Sequence, residues 1–449
     1  MTWRHPWRWS GANIPPDDFR SNTRFPVAHH VRERTHCARR TPLHPNFQPS
    51  ITVNESIKPL AGTVAHNVKH SPHWSPFDPD FGSGGSADYP ARAEVEKRIL
   101  PPDKILKLRN PEIRIEPTNR CNYSCVMCPR ETHDRAQGVM PFGFYKSVVD
   151  EVIAMGAKQI TLTNFGEPFI DPGLEDKIQY ASDNGLGTYI ISNASLLHQP
   201  SRSELADGLK TAVDEVITKG RAVIASGLAE LRLSFYGTKP DIYEKVMRGG
   251  KFWQTRKNIE EFRVLREKFG RKGISPTRKI ETLLPEISIY FLDLPENQGD
   301  LDEFLEFTRD LADYIEVWKP HNFGLGKENE YREVGSAKPL NSCGRPQTGP
   351  LQINWQGIVV PCCYDYNQDI PLGNIALQTV EEVLRAGPYQ ELKRCHIEKT
   401  FADIPYCHRC DQLREHNNAL VVSTNPRHEG RSMESIMKSP NTRPEFEMG

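Results

Sequence analysis

Three cysteines, Cys121, Cys125 and Cys128, stand together in the stretch CNYSCVMCPR with the spacing C-x3-C-x2-C. Thiolates are ligands for zinc and for iron–sulfur clusters, and closed sites of either kind normally take four protein ligands. A set of three therefore has two readings. It is a zinc knuckle completed by a distant His or Cys, or an iron–sulfur cluster with one iron left open to an exogenous ligand, and the spacing alone leaves both standing. Four further cysteines, Cys343, Cys362, Cys407 and Cys410, form a second set. Thirteen residues separate Cys343 from Gly357, four separate Gly357 from Cys362, and the last two form a C-x2-C pair. Such soft ligation suits a four-cysteine zinc ribbon as well as a closed iron–sulfur cluster. His408 lies inside the pair and reads as solvated or supporting, not as a ligand.

The chain as a whole narrows the classes. Its 449 residues allow two or three domains, and a formal net charge of −1 excludes a broad electrostatic footprint for nucleic acid or an anionic membrane. No apolar run is long enough for a transmembrane helix, and the Arg- and Trp-bearing N-terminus lacks the apolar centre of a secretory signal. The ten cysteines cluster in two places instead of spreading like disulfide staples, which favours metal ligation in a reducing, cytoplasmic setting.

The elements that must position these ligands follow from periodicity. Residues 1–95 are rich in Pro, Arg, His, Ser and Asn and read as a disordered extension, with WRHPWRW (Trp3 to Trp9) as a basic, aromatic partner-binding arm in the alternative. Strand patterns then recur at EIRIEP, QITLTNF, TYIISN, LRLSFYG, ISIYFLD and YIEVWK, separated by helical stretches such as the one aligning Phe144, Val148, Val149, Val152 and Ile153. Six strand–helix units predict an α/β fold with a parallel sheet closed as a barrel or partial barrel, and ligand chemistry at the C-terminal strand ends. That unit spans 96–335. Residues 336–420 read as a small domain pinned by metal, with Thr379 and Glu382 forming a capping box, and 421–449 as a disordered tail.

At four strand ends the residues resemble those of the radical S-adenosylmethionine (radical SAM) superfamily, whose C-x3-C-x2-C follows the first strand of a partial (β/α)6 barrel. NFGEP resembles the family's GGE-type motif, with Phe165 in place of its first glycine, so Gly166, Glu167 and Pro168 are expected around the SAM amino group. ISNASLL resembles a third-strand motif that places Ser192 and Asn193 near the ribose, and LSFYG a fourth-strand motif that assigns Ser234, with Arg248, to the methionyl carboxylate. Arg suits a carboxylate because its planar fork gives two charge-assisted bonds. Met127 stands where the family often has an aromatic residue, so adenine packing there is expected to differ. The resemblance implies a [4Fe–4S] cluster on Cys121, Cys125 and Cys128, SAM chelated to its open iron, and a 5′-deoxyadenosyl radical that removes a substrate hydrogen.

The second set resembles the auxiliary-cluster segment of SPASM and twitch proteins. With no cysteine beyond Cys410, it implies one auxiliary [4Fe–4S] cluster on Cys343, Cys362, Cys407 and Cys410; Cys362 fits the glycine spacing better than Cys363. Cys363 and Cys395 are left as thiols. Either reads as a small buried hydrophobe or as the hydrogen-atom donor an epimerase requires, and Asp365 as an exposed turn carboxylate or a proton acceptor. The architecture resembles one-cluster epimerases and dehydrogenases of antibiotic biosynthesis, implying a small carbohydrate-like substrate and a flavodoxin- or ferredoxin-type electron donor. Epimerisation is the preferred reaction and dehydrogenation the next. A peptide maturase and a non-catalytic metal-bound scaffold are the alternatives.

Overall fold

The computed structural model describes residues 105–210, 216–275, 279–323, 342–401, 404–413 and 419–425. The N-terminal extension with its WRHPWRW arm, and the tail from 426, lie outside the described residues. All described residues belong to one compact unit, Leu60–Gly449.

The six predicted strands are present: β1 (Glu112–Ile115), β2 (Gln159–Leu162), β3 (Gly187–Ser192), β4 (Glu230–Ser234), β7 (Glu286–Leu292) and β8 (Tyr314–Trp318). They pair in that order, every pair parallel. Between β4 and β7 the chain inserts an antiparallel hairpin, β5 (Arg271–Ile274) with β6 (Glu281–Leu284), that the sequence pattern did not announce. The crossovers carry α1 (Phe142–Ala154), α2 (Leu174–Asp183), α3 (Glu204–Leu209), α4 (Lys219–Ala225), α5 (Pro240–Val246), α6 (Phe252–Phe269) and α7 (Leu301–Thr308).

Period-two alternation gives the strands two faces. Ile113, Ile115, Ile160, Leu162, Leu231, Leu233, Ile287, Ile289 and Phe291 are buried in one core with Phe144, Val148, Val149 and Val152 of α1. Their alternates are polar and paired: Arg232 donates to Glu230 at 3.0 Å, Ser288 to the same carboxylate at 2.6 Å, and Tyr314 to Glu286 at 2.8 Å. Pairing of this kind removes most of the cost of burying such groups.

The C-terminal segment joins the barrel sheet. Its strand β9 (Leu351–Ile353) lies parallel to β1, β10 (Ile358–Val360) folds back on β9, and β11 (Gly373–Asn374) extends the same sheet. The turn between β9 and β10 needs Gly357, which has φ +89° and no room for a Cβ, the Phe144 ring standing 2.8 Å from where it would lie. Further helices are α8 (Arg345–Thr348), α9 (Val380–Arg385) and α10 (Gly387–Glu398), and the Thr379–Glu382 capping box opens α9. At the other edge β12 (Leu420–Ser423) pairs antiparallel with β8. This corrects the expected tail boundary at 421: the LVVS run, with β-branched Val421 and Val422 at its centre, covers an otherwise open strand edge. The result is a ten-stranded, mostly parallel sheet in a partial TIM-like barrel, with the auxiliary segment built onto the β1 edge.

Candidate active site

A long excursion separates β1 from α1, and its two ends are clamped together below the cysteines. Arg135 donates both terminal nitrogens to Glu116 at 2.8 Å each, the pair fully buried, and the Glu116 carboxyl is held below the usual range by Arg135 despite its burial. Thr118 pairs with Val139, and its hydroxyl donates to the Gly138 carbonyl at 2.6 Å. Between the clamps, Cys121, Cys125 and Cys128 are half-buried. The loop is tied to the chain after α5: Ser124 N–H donates to the Arg248 carbonyl at 2.8 Å, Val126 N–H to that of Val246 at 3.0 Å, and Arg248 Nε to the Ser124 carbonyl at 2.8 Å. Arg248 thus braces the cysteine loop, with Nη2 3.6 Å from Glu131.

The residues expected at the next strand ends converge on this loop. Gly166 packs so closely that a Cβ would lie 2.0 Å from the Thr118 carbonyl oxygen. The Glu167 N–H donates to the Arg120 carbonyl at 2.8 Å. Its buried carboxylate accepts from Ser192 Oγ (2.8 Å), Asn193 N–H (2.8 Å) and Phe169 N–H (3.2 Å), so one side chain ties the ends of β2 and β3 together. Burial pushes that carboxyl up to about 7 against those three donors. Pro168 opens the buried turn that follows. Asn193 donates to Asn122 at 3.0 Å, inside the cysteine loop, and Ser234 accepts from Tyr236 at 3.0 Å. Tyr236 is raised by burial and by the nearby Cys125 and Cys128. Asn122 and Tyr236 were not singled out from the sequence, although both sit inside quoted motifs. The backbone consequence of the missing glycine falls on Asn164, with φ 136°, and not on Phe165.

Phe165 is instead part of an aromatic wall. His133, on the excursion after the cysteines, meets Phe165 edge-on at 5.0 Å and stacks on Tyr366 at 5.5 Å. Phe323 and Tyr406 extend the wall, at 6.0 Å from Phe165 and 5.7 Å from Tyr366. Tyr364 and Tyr366 flank Asp365, so the wall joins the first cysteine loop to the auxiliary segment.

The auxiliary cysteines come from three separate stretches. Burial raises the Cys407 and Cys410 thiols far above the ordinary value, and Cys362 and Cys343 raise both further, which groups these four. Cys362 is raised to about 12, by burial first, with Arg345 opposing. Arg345, over the Tyr364 ring at 5.6 Å, is the cation beside this set. His408 is exposed, whereas buried His396, unremarked in the sequence, has Nε2 3.6 Å from Cys407 Sγ. Cys363 is half-buried; Cys395 is buried on α10, with Sγ 3.5 Å from Glu391 one turn earlier on the same helix. Asp365 corrects an expectation: it is buried, not an exposed turn carboxylate. Its oxygens accept the N–H groups of Asp369 (2.7 Å) and Ile370 (3.0 Å), and burial pushes it up to about 7.

Both sets fit iron–sulfur clusters by donor chemistry. In the first, burial lifts Cys121 to about 11 and lifts Cys125 further, Cys128 adding to both and Cys121 to Cys125, so thiolates persist there only against a bound cation. Among the described residues no three His, Cys, Asp or Glu side chains are arranged around a single metal ion. A cubane places each thiolate on a different iron and so needs a wider arrangement.

Comparison with known proteins agrees. A model of the radical SAM superfamily matches residues 115–268, and one of the SPASM iron–sulfur cluster-binding domain matches 343–411. The chain is 25% identical over 244 residues to the PqqA peptide cyclase of Bradyrhizobium diazoefficiens, covering 52% of each chain. It is 24% identical over 263 residues to the tungsten-containing aldehyde ferredoxin oxidoreductase cofactor-modifying protein of Pyrococcus furiosus, 55% of this chain and 69% of that one. The first of these matches spans about half the relative's length. Among solved structures, BtrN in complex with AdoMet and 2-DOIA superposes with a TM-score of 0.43 at 16% identity, over 71% of this chain and all of that one. The two matched domains bring a SAM-binding [4Fe–4S] cluster, an auxiliary iron–sulfur cluster and SAM as cofactors. With its cysteine loop at the mouth of a partial barrel and its second set built onto the β1 edge, the chain carries a radical SAM domain followed by a SPASM iron–sulfur cluster-binding domain.

Proposed function

We propose that this radical SAM enzyme epimerises a small, carbohydrate-like substrate held between the cysteine loop and the auxiliary segment, with Cys363 as the hydrogen-atom donor. The observation that carries this reading is a fifth auxiliary thiol: Cys363 adjoins the Cys343–Cys362–Cys407–Cys410 set, is half-buried, and leads directly into the Tyr364–Tyr366 part of the aromatic wall. Cys395, buried with its nearest polar partner on its own helix, reads as a packing residue.

When bound, the SAM–cluster pair supplies a 5′-deoxyadenosyl radical that takes one hydrogen atom from a substrate carbon. Cys121, Cys125 and Cys128 would hold the cluster; Gly166, Glu167 and Pro168 the amino end of SAM; Ser192 and Asn193 the ribose; Ser234 and Arg248 the carboxylate. Arg248 has only part of its guanidinium free for this, since Nε is committed to Ser124. The aromatic wall keeps water from the radical. Cys363 then returns a hydrogen atom to the opposite face of the substrate carbon, and its thiyl takes one electron from a flavodoxin- or ferredoxin-type reductant and one proton from solvent, restoring the thiol.

Turnover in D2O tests this. Product carrying one deuterium at the inverted carbon is expected, and Cys363→Ala should abolish product while 5′-deoxyadenosine still forms. Product formation by Cys363→Ala at the wild-type rate would sink the assignment. Peptide maturation is the second reading, favoured by the likeness to a peptide cyclase. Substrate-dependent 5′-deoxyadenosine formation with a short precursor peptide, and none with amino sugars, would favour it.

A further inference from the structure

At the opposite end of the strands from the cysteines lies a cleft of about 180 Å³ that none of the chemistry above uses. Residues just before β1 form one side, the start of β9 its floor, and α9 and α10 the other side. In barrels of this kind the reaction sits at the C-terminal strand ends, so a ligand at this rim is not the substrate of the radical step.

Four cations border the cleft: Lys107, Arg109, Arg385 and Lys393. Two are engaged. Lys107 Nζ donates to the Ala154 carbonyl at 2.8 Å, and Arg385 Nε to Glu381 at 2.8 Å, the other Glu381 oxygen accepting the Leu106 N–H at 3.1 Å. Arg109 and Lys393 have no carboxylate within ion-pair distance among the described residues. Both line the cleft, Arg109 exposed and Lys393 half-buried, and burial pushes Lys393 below the usual lysine value, with Arg109 pushing it further. Tyr389, half-buried between them on α10, feels Arg109 as well, and Gln347 adds an amide to the lining.

Among the described residues neither charge has a counter-ion, and an anion bound in the cleft would relieve their mutual repulsion. An Arg fork, an ammonium and a phenol lining one small space match the tetrahedral oxygens of a phosphate better than a planar carboxylate, which the Arg alone would satisfy. The volume is below that of sites for drug-sized ligands and suits a compact ion. We propose that this rim cleft binds a phosphate-type oxyanion between Arg109 and Lys393, with Tyr389 as a further donor. Such an ion would clamp the segment entering β1 to α10. That helix also presents His396 to Cys407, so the ion would secure the auxiliary segment against the barrel.

Isothermal titration of the anaerobically reconstituted full chain with inorganic phosphate, at ionic strength fixed with potassium chloride, tests the site. One saturable site is expected, weakened at least tenfold in Arg109→Gln/Lys393→Gln and unchanged in Lys268→Ala, a lysine on α6 away from the cleft. Gln preserves side-chain length, and circular dichroism of the double variant reports its folding. No saturable binding to the wild type overturns the proposal. So does equal affinity in the folded double variant, or equal loss in Lys268→Ala. Should the double variant not fold, Lys393→Gln alone must still weaken phosphate measurably, and equal affinity there overturns the proposal.

Discussion

The two cysteine sets are built in opposite ways. The first comes from eight consecutive positions after one strand, Cys121 to Cys128, and its shape is imposed from outside: by the Glu116–Arg135 clamp below, by Arg248 and Val246 at the side, and by Gly166 and Glu167 across the gap. The second draws Cys343, Cys362, Cys407 and Cys410 from stretches separated by a hairpin and three helices, and would close with four ligands. A local set can leave a coordination position open because neighbouring strand ends supply the rest of the site. A set assembled from distant segments instead staples those segments to the barrel. The first should therefore be indispensable for chemistry and the second also for stability.

The contrast is sharpest if Cys125→Ala abolishes SAM cleavage, a loss of at least about a thousandfold in 5′-deoxyadenosine, while about half of the bound iron remains as the auxiliary cluster. Loss of all iron would show that the two sets are not independent. Gly166→Ala should come next. Its Cβ would stand 2.0 Å from a backbone carbonyl, which cannot swing away, so SAM affinity measured by equilibrium dialysis should fall at least tenfold with a lowered melting temperature. Cys407→Ala should act the other way round, keeping SAM cleavage within a few-fold but costing about 2–5 kcal/mol of stability, the range for losing a structural cross-link or buried network; unchanged thermal unfolding would remove the stapling role.

A smaller effect separates the barrel wall from both sets. Glu175 on α2 is fully buried, and burial lifts its carboxyl to about 7 against its own N–H, the Lys219 ammonium and the Ser201 hydroxyl. Its folded value lies above its unfolded one, so its contribution is most favourable below about pH 4.5 and is lost as pH rises towards 7. Glu175→Gln keeps the shape without the charge. It should stabilise the protein by about 1–3 kcal/mol at pH 8 and have little effect at pH 4.5, read by denaturant unfolding. Equal effects at the two pH values would mean that the carboxyl does not titrate differently on folding.

Much of this was legible in the chain. Six strands were marked by alternation of Ile, Leu and Val, and all six formed within two or three residues of the expected limits. Motif residues at the ends of β2 and β3 came together as expected because parallel strands of similar length put successive C-terminal ends side by side. What escaped were contacts made between elements. Arg248 braces the cysteine loop through a backbone carbonyl, Asp365 caps a buried turn, and His396 reaches Cys407 from a helix that carries no motif. Strand β12, expected as tail, is a strand only because β8 offers it an edge.

The sequence by itself determined the two cysteine sets, the parallel α/β order and the capped helix of the auxiliary segment, because each is written in residue types at short range: thiol spacing, period-two alternation, a Thr three residues before a Glu. Only the tertiary structure decided that the auxiliary segment extends the barrel sheet through β9, that an aromatic wall joins the two cysteine regions, and that Arg109 and Lys393 line one cleft at the far rim. Those depend on which distant surfaces fold against one another, and burial and charge pairing act on positions in space, whatever their separation along the chain.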